Sequence, residues 1–366
     1  MKRPVEREHR VRPVVLELTR STKRGGTEVL ILERHRDRSS AFDFVLLVSK
    51  DDGELAGDLR SEVLELRRTT VTNAVRTARE YRAGRYCGVI VHSPSLMIPV
   101  RLASVLLGRR RVTPVAGVHH SVVSSRSALI RRLERMTRQL EGIHIAVSPA
   151  VERRLSSEGT TSVVTVIHGL AHDFADRVHE RQSQLGEKYG RPYVLCVANR
   201  RPAKDHETLI LAFAGLLKER PDLKLVLAGS DTDDGTIQSL ARRLGIMDSV
   251  IALGDTEFAA RLMPGAECVV LSSVHEGLPV ALMEAATLGI PIVSTDVGGC
   301  GTVVEHNHNG LLCPPRDPVA LSAALKLVVS DYRFAERARN DAATAAHRFC
   351  VSRAVLQIDS LIGGSP

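Results

Sequence analysis

Residues 272–295, SSVHEGLPVALMEAATLGIPIVST, decide how the chain is read. Just before them, residues 268–271 are uniformly apolar, the composition of a buried strand. A polar loop then ends at Glu276-Gly277-Leu278-Pro279, and residues 279–288 have the character of a helix. Gly289 stops that helix, Pro291 follows, and Ile292-Val293 opens the next strand. Proline suits a first helical turn, where no N–H is needed, and glycine suits the stop because it tolerates positive φ. The stretch is therefore one β-loop-α-β unit. In open α/β sheets, ligands bind at the carboxyl ends of strands, where helix N-termini face outward. Glu276 falls at that point, and Glu284 follows eight residues later, inside the helix.

Taken singly, either acid has a plain explanation. The helix dipole favours an acid near the N-terminus, and a charged residue further along is ordinarily a solvated face. The surroundings argue for more. Ala281, Ala285, Ala286 and Leu288 make the helix small and apolar, so Glu284 is expected to be enclosed and to need a partner. N–H groups near Gly277 and Leu278 suit a phosphate. A carboxylate beside them suits the hydroxyls of a sugar.

Glu276-Gly277-Leu278-Pro279 through Glu284 resembles the E-x7-E motif of retaining glycosyltransferases of the GT-B fold, family 4. The resemblance continues through Thr295-Asp296-Val297-Gly298-Gly299 and Asn309-Gly310-Leu311-Leu312-Cys313-Pro314-Pro315. It covers most of residues 192–329 well and the first half loosely. It implies an α/β chain with two Rossmann-like, doubly wound domains facing across a cleft. Residues 1–185 would form the acceptor-side domain, completed by a C-terminal helix over 345–362. Residues 190–344 would bind the nucleotide sugar.

The same resemblance implies roles. Glu276 would hold hydroxyls of the donor sugar near the phosphate, Glu284 the ribose hydroxyls, and Gly277 and Leu278 would offer backbone N–H groups. A diphosphate leaving group must be stabilised electrostatically. Lys204 and Arg200 or Arg201 are the natural cations, since a guanidinium can fork onto phosphate oxygens. The family spaces an arginine and a lysine around this loop, but Asn199 occupies the usual arginine place here. The choice between Arg200 and Arg201 stays open. A second departure is Thr302, which stands where many members carry a glutamate. The implied reaction moves a hexose from a UDP- or GDP-sugar to a lipid-linked or polysaccharide acceptor, with retention and no protein nucleophile. The departing phosphate would help deprotonate the acceptor. No cofactor or metal is expected, the donor being a substrate.

In the first half, residues 11–19 read as a strand and residues 20–26 as a loop ending in Gly25-Gly26. Glycine permits close backbone approach because it lacks Cβ. The resemblance places donor phosphate and sugar there; an ordinary tight turn explains the pair equally well. The strand over residues 113–118 is followed by His119-His120-Ser121. By resemblance one histidine approaches the donor sugar, and His119 is taken as the match. Capping of a helix is the plain alternative. Residues 127–141 read as an amphipathic helix, with Leu129, Ile130, Leu133, Met136 and Leu140 on one face. Arg131, Arg132, Arg135 and Arg138 crowd the other. This is either a solvated face or a surface for an anionic membrane. The interdomain linker is expected over residues 182–192, and residues 345–362 read as one long helix.

Composition narrows the classes. Residues 1–185 hold 32 Lys+Arg against 21 Asp+Glu, a net +11, and residues 186–366 hold 18 against 21, a net −3. A basic first half implies an anionic partner. Aromatic residues make up only 3% of the chain, so stacking platforms for nucleic acid are scarce, and no zinc-finger spacing is present. No nucleic-acid partner is expected. A nucleotide-sugar epimerase of the same fold needs a different set of acids and histidines, and the chain lacks a match. Six scattered cysteines suggest reduced, buried thiols. No apolar run reaches the ~18–20 residues of a membrane span, and the charged start MKRPVEREHR lacks the apolar core of a secretory leader. A cytoplasmic location is expected, with peripheral attachment to the inner face of the membrane as an option.

Overall fold

The computed structural model describes residues 12–37, 39–50, 53, 55–108, 113–121, 128–140, 142–180, 192–256 and 259–363. The expected linker falls almost wholly outside these residues.

Two parallel sheets organise the chain. The first runs in the order β3-β2-β1-β4-β5-β6-β7. Its strands are β1 (Val14–Ser21), β2 (Asp43–Lys50), β3 (Glu65–Arg68), β4 (Tyr86–Val91), β5 (Val115–His119), β6 (Ile143–Ala146) and β7 (Val163–Thr165). The second runs β10-β9-β8-β11-β12-β13, from β8 (Tyr193–Val197), β9 (Lys224–Ala228), β10 (Val250–Ala252), β11 (Cys268–Leu271), β12 (Ile292–Thr295) and β13 (Gly310–Cys313). Every pairing is parallel. Helices cover both faces, so central strands such as Val45–Val48 and Cys268–Leu271 are apolar on both sides. This is the expected pair of doubly wound sheets.

Strand order reverses between β1 and β4 in the first sheet and between β8 and β11 in the second. At such a switch point the connecting helices leave to opposite faces and open a crevice at the carboxyl ends of the strands. The two crevices face each other across one cleft.

The chain returns to the first sheet at its end. Residues 332–348 and 351–363 form two helices, not the single helix expected over 345–362. The break at Phe349-Cys350 is used for docking: Leu170 N–H donates to Phe349 O at 2.8 Å, and Val351 N–H to Leu170 O at 3.0 Å. The last helix then lies against β4 and the helix over Gly26–Arg36. Gly88 allows this, since a Cβ there would sit 2.1 Å from Ile362 Cγ2.

The helix over Ala128–Arg138 differs from expectation in its orientation. Leu129, Leu133 and Met136 are exposed, while Glu134 and Arg138 are buried. Arg138 pairs with Glu158 at 2.8 Å and donates to Thr160 Oγ1 at 2.7 Å. Arg101, fully buried on the neighbouring helix over Pro94–Leu106, donates to Glu134 O at 3.2 Å. Buried polar anchors thus hold the helix with its apolar side outward. Leu102, Val105 and Leu106 of the neighbouring helix are also exposed.

Candidate active site between the two sheets

A cleft of about 780 Å³ lies between the sheets. Its lining comes from the carboxyl ends of β1, β2, β5, β8, β9, β10 and β11, the places both switch points predict.

The wall from the second sheet is built around one turn. Pro202–Lys204 makes a short 3-10 helix, and Asp205 follows in the left-handed region at φ 45°. Asp205 caps the helix over His206–Leu216, its carboxylate accepting from Thr208 N at 3.4 Å and Thr208 Oγ1 at 2.7 Å. Ser272, just past β11, donates to both Lys204 O and Asp205 O at 2.9 Å. The lysine turn is thereby tied to the loop that carries Glu276. Lys204 Nζ meets Glu276 Oε1 at 2.5 Å, and Ser273 Oγ donates to the same oxygen at 2.6 Å. Among the described residues Glu276 Oε2 makes no hydrogen bond. Ser272 and Ser273 were not singled out in the sequence. Their signal is a hydroxyl pair at the end of an apolar strand.

Glycines set the loop geometry. Gly298, at φ 55°, lets its backbone pass beneath Glu276, where a Cβ would lie 1.8 Å from Glu276 O. Gly277 touches the opposite wall: a Cβ there would lie 2.0 Å from His120 O. Gly26 faces back across the cleft, its missing Cβ 3.3 Å from Val280 Cγ2. Gly25 makes room for the carboxylate of Glu28, 2.7 Å from where a Cβ would be. Glu28 also lines the cleft, and burial raises its pKa although Arg201 opposes the shift.

Glu284 lies in the helix over Val280–Thr287 and is 9% exposed. Burial pushes its carboxyl up to about 8, with Glu33 of the first domain adding to the shift and Arg24 and Arg177 opposing it. Among the described residues no hydrogen bond to the Glu284 carboxylate is made. Glu284 was expected to be enclosed and to need a partner, and it lines the cleft.

The cleft therefore gathers Gly25, Gly26, Arg201, Lys204, Glu276, Gly277, Leu278 and Glu284. Two expected residues lie elsewhere. Arg200 pairs with Asp234 and donates to Asp231 O at 3.2 Å, so Arg201 is the arginine that faces the cleft. Asn199, in the place the family gives to arginine, accepts from Ser230 N at 3.0 Å and holds the neighbouring loop. His119 is the last residue of β5 and is 3% exposed, its Nε2 lying 3.4 Å from His144 Nδ1 on β6. Strand alternation buries His119 and delivers His120 to the cleft. His120 replaces His119 as the candidate on this wall.

Among the described residues no group of three or more His, Cys, Asp or Glu is arranged to hold a metal ion. His306 Nδ1 accepts from Leu312 N at 3.0 Å, and His308 pairs with Asp341 at 2.5 Å. The first ties the loop to β13 and the second to the helix over residues 332–348. Thr302 does not line the cleft. All six cysteines are free, and burial raises the thiols of Cys268 and Cys300.

Residues 178–345 match the family model described as glycosyl transferases group 1. Over 199 residues the chain is 30% identical to the alpha-D-kanosaminyltransferase of Streptomyces kanamyceticus, covering 51% of this chain and 52% of that protein. Over 144 residues it is 31% identical to the N-acetyl-alpha-D-glucosaminyl L-malate synthase of Bacillus anthracis, covering 38% of each. These matches span about half or less of the curated relatives. Among solved structures, Anabaena Alr3699/HepE in complex with UDP and glucose superposes with a TM-score of 0.81 at 20% identity, over 96% of this chain and 99% of that one. The sucrose-phosphate synthase of Thermosynechococcus elongatus superposes at 0.77 and 18% identity, over 96% and 98%. Residues 178–345 thus resemble the glycosyl transferases group 1 family, and the chain as a whole has the GT-B fold.

Proposed function

We propose that this protein is a retaining glycosyltransferase that moves a hexose from a UDP- or GDP-sugar to a lipid-linked or polysaccharide acceptor. One observation carries the reading: Lys204, Arg201 and the Gly277-Leu278 backbone line one cleft together with Glu276 and Glu284. Cations and amides together suit a diphosphate whose charge grows as the glycosyl bond breaks. Glu276 is pinned through Oε1, which leaves Oε2 for a donor hydroxyl. Glu284 sits where ribose hydroxyls would relieve its burial. The neighbour solved with UDP and glucose supports the substrate class. The test is a thermal-shift screen of nucleotide sugars, since a ligand bound only by the folded state raises its stability. A UDP- or GDP-sugar should raise Tm; no shift with any of them contradicts the proposal. Retention is read from the anomeric configuration of the product.

The acceptor is inferred from the outward-facing apolar patch. Leu106 is 85% exposed, Met136 67% and Leu129 66%, and Arg131, Arg132 and Arg135 lie exposed among them. Apolar side chains flanked by guanidinium groups, on a half of net charge +11, fit an anionic membrane surface. Peripheral attachment brings the cleft to a lipid-linked acceptor. Among the described residues no helix is long and apolar enough to cross a membrane. The relative named for L-malate supports a second reading, a small soluble anionic acceptor. Flotation with anionic liposomes separates the two: binding that falls as salt rises supports the membrane, and no binding at low salt supports the soluble acceptor.

A further inference from the structure

A buried polar chain runs through the first domain to the cleft. Glu17 sits in the middle of β1 with no exposed surface. Arg34 pairs with Glu17 Oε1, His35 Nε2 meets Oε2 at 2.6 Å, and His92 Nε2 meets Oε1 at 2.5 Å. Burial acts against the charge on Glu17, but Arg34, His35 and His92 together hold its carboxyl well below the usual range. The chain continues from His92 Nδ1 to His120 Nε2 at 3.1 Å, and His120 lines the cleft.

Proton bookkeeping fixes the donors. An ionised carboxylate only accepts, so His92 must carry its proton on Nε2. With its single proton on Nε2, His92 offers a lone pair at Nδ1, and His120 donates to it from Nε2. That leaves the Nδ1 of His120 as an acceptor. An imidazolium at His120 is disfavoured first by burial. His168 turns its own Nδ1–H to Val166 O at 3.1 Å and supplies no negative charge. Because Arg34 keeps Glu17 ionised, the carboxylate anchors the chain and does not pass protons along it.

We propose that Glu17 and His92 are positioning residues that hold His120 in its neutral Nε2–H form, presenting Nδ1 to accept a hydroxyl in the cleft. Assigning that hydroxyl to a donor sugar rests on the transferase reading; the protonation pattern does not. An equivalent device recurs where a second partner sets which nitrogen of a functional histidine is protonated.

The test uses the full-length protein with 15N-labelled histidine. Long-range 1H–15N spectra at neutral pH report which ring nitrogen carries the proton. The expected wild-type result is Nε2–H at both His92 and His120. In His92→Phe, His120 loses its acceptor and the two neutral forms mix. A wild-type His120 protonated on Nδ1, or on both nitrogens, overturns the proposal, as does an unchanged His120 signal in the variant. Glu17→Gln should let His92 reverse; should that variant not fold, the wild-type and His92→Phe spectra still decide. Hydrolysis of the UDP- or GDP-sugar without acceptor gives the second readout. Losing one hydrogen bond should lower kcat about tenfold in His92→Phe, with nucleotide affinity unchanged. An equal loss of nucleotide affinity would mean general damage and count against positioning. Absence of turnover in the wild type removes the transferase reading and leaves the spectra to judge the protonation pattern.

Discussion

The two walls of the cleft are built in opposite ways. On the second sheet, the groups that face the cleft come from two loops, residues 199–205 and 272–284, tied by Ser272 and the Lys204–Glu276 pair. On the first sheet, His120 reaches the cleft on a chain assembled from β1, β4 and β5 and the helix after β1. The second wall joins two segments about 70 residues apart and leaves Lys204 partly exposed, whereas the histidine of the first wall is held by a chain of buried groups. For the proposed grip on a charged diphosphate, the second wall offers Lys204 and Arg201 at the cleft surface. A site that must present one hydroxyl acceptor needs a fixed ring, and burial supplies the rigidity.

This contrast can be broken most strongly at Lys204. Lys204→Ala should slow transfer roughly 10²–10³-fold, the range for losing a preorganised group that stabilises transition-state charge. Its effect on folding should be small, since its side chain is 26% exposed. Steady-state kinetics beside a melting curve checks both; equal activity would show that the diphosphate is held elsewhere. Gly277→Ala tests the contact between the walls. Its Cβ would stand 2.0 Å from His120 O, so the walls must part, and kcat/KM should fall by about tenfold or more, given that overpacking costs ~1–3 kcal/mol.

Glu284 sharpens the contrast through pH. Its folded carboxyl is raised from the ordinary 4.5 to about 8, so its protonation favours the folded state at low pH, and that contribution is lost as pH rises through about 8. Glu284→Gln should therefore remove a fall in stability between about pH 5 and 8. The same variant should weaken UDP or GDP binding about fivefold, the value of one ordinary hydrogen bond. Denaturant melts across pH give the first and calorimetry the second; parallel pH curves for the two proteins would place the titration elsewhere. A smaller effect is expected at Leu129→Ser. It should reduce liposome flotation and leave turnover on a soluble acceptor within about twofold, because exposed substitutions away from a site change little.

The difference between the walls also explains what the sequence revealed. The β-loop-α-β unit at 272–295 announces itself through Pro279, Gly289 and an alanine-rich helix, all local signals. The pair of doubly wound domains was implied by the family resemblance that this unit carries. The edge strand Glu65–Arg68 was missed because it is short and charged: Arg67 is buried there by Glu65 and Glu80, not by an apolar pattern. His119 was preferred over His120 because the strand was ended one residue early, and a one-residue shift exchanges the two faces. Arg138 was placed on the outward basic face, solvated or membrane-facing, because its partners Glu158 and Thr160 lie some twenty residues away. The chain from Glu17 did leave a trace. An acid inside VVLELT, at a switch-point strand, is out of place unless it has buried partners. Those partners, Arg34, His35 and His92, become visible only once the strands are side by side.

The central claim is that the cleft between the sheets binds an activated sugar through the cations and acids of the second wall. Calorimetric titration of UDP and GDP into the wild type, Lys204→Ala and Glu284→Ala tests it most directly. The account predicts that one nucleotide binds the wild type and binds both variants more weakly. Equal affinity in all three proteins, or no binding of either nucleotide to the wild type, would contradict it.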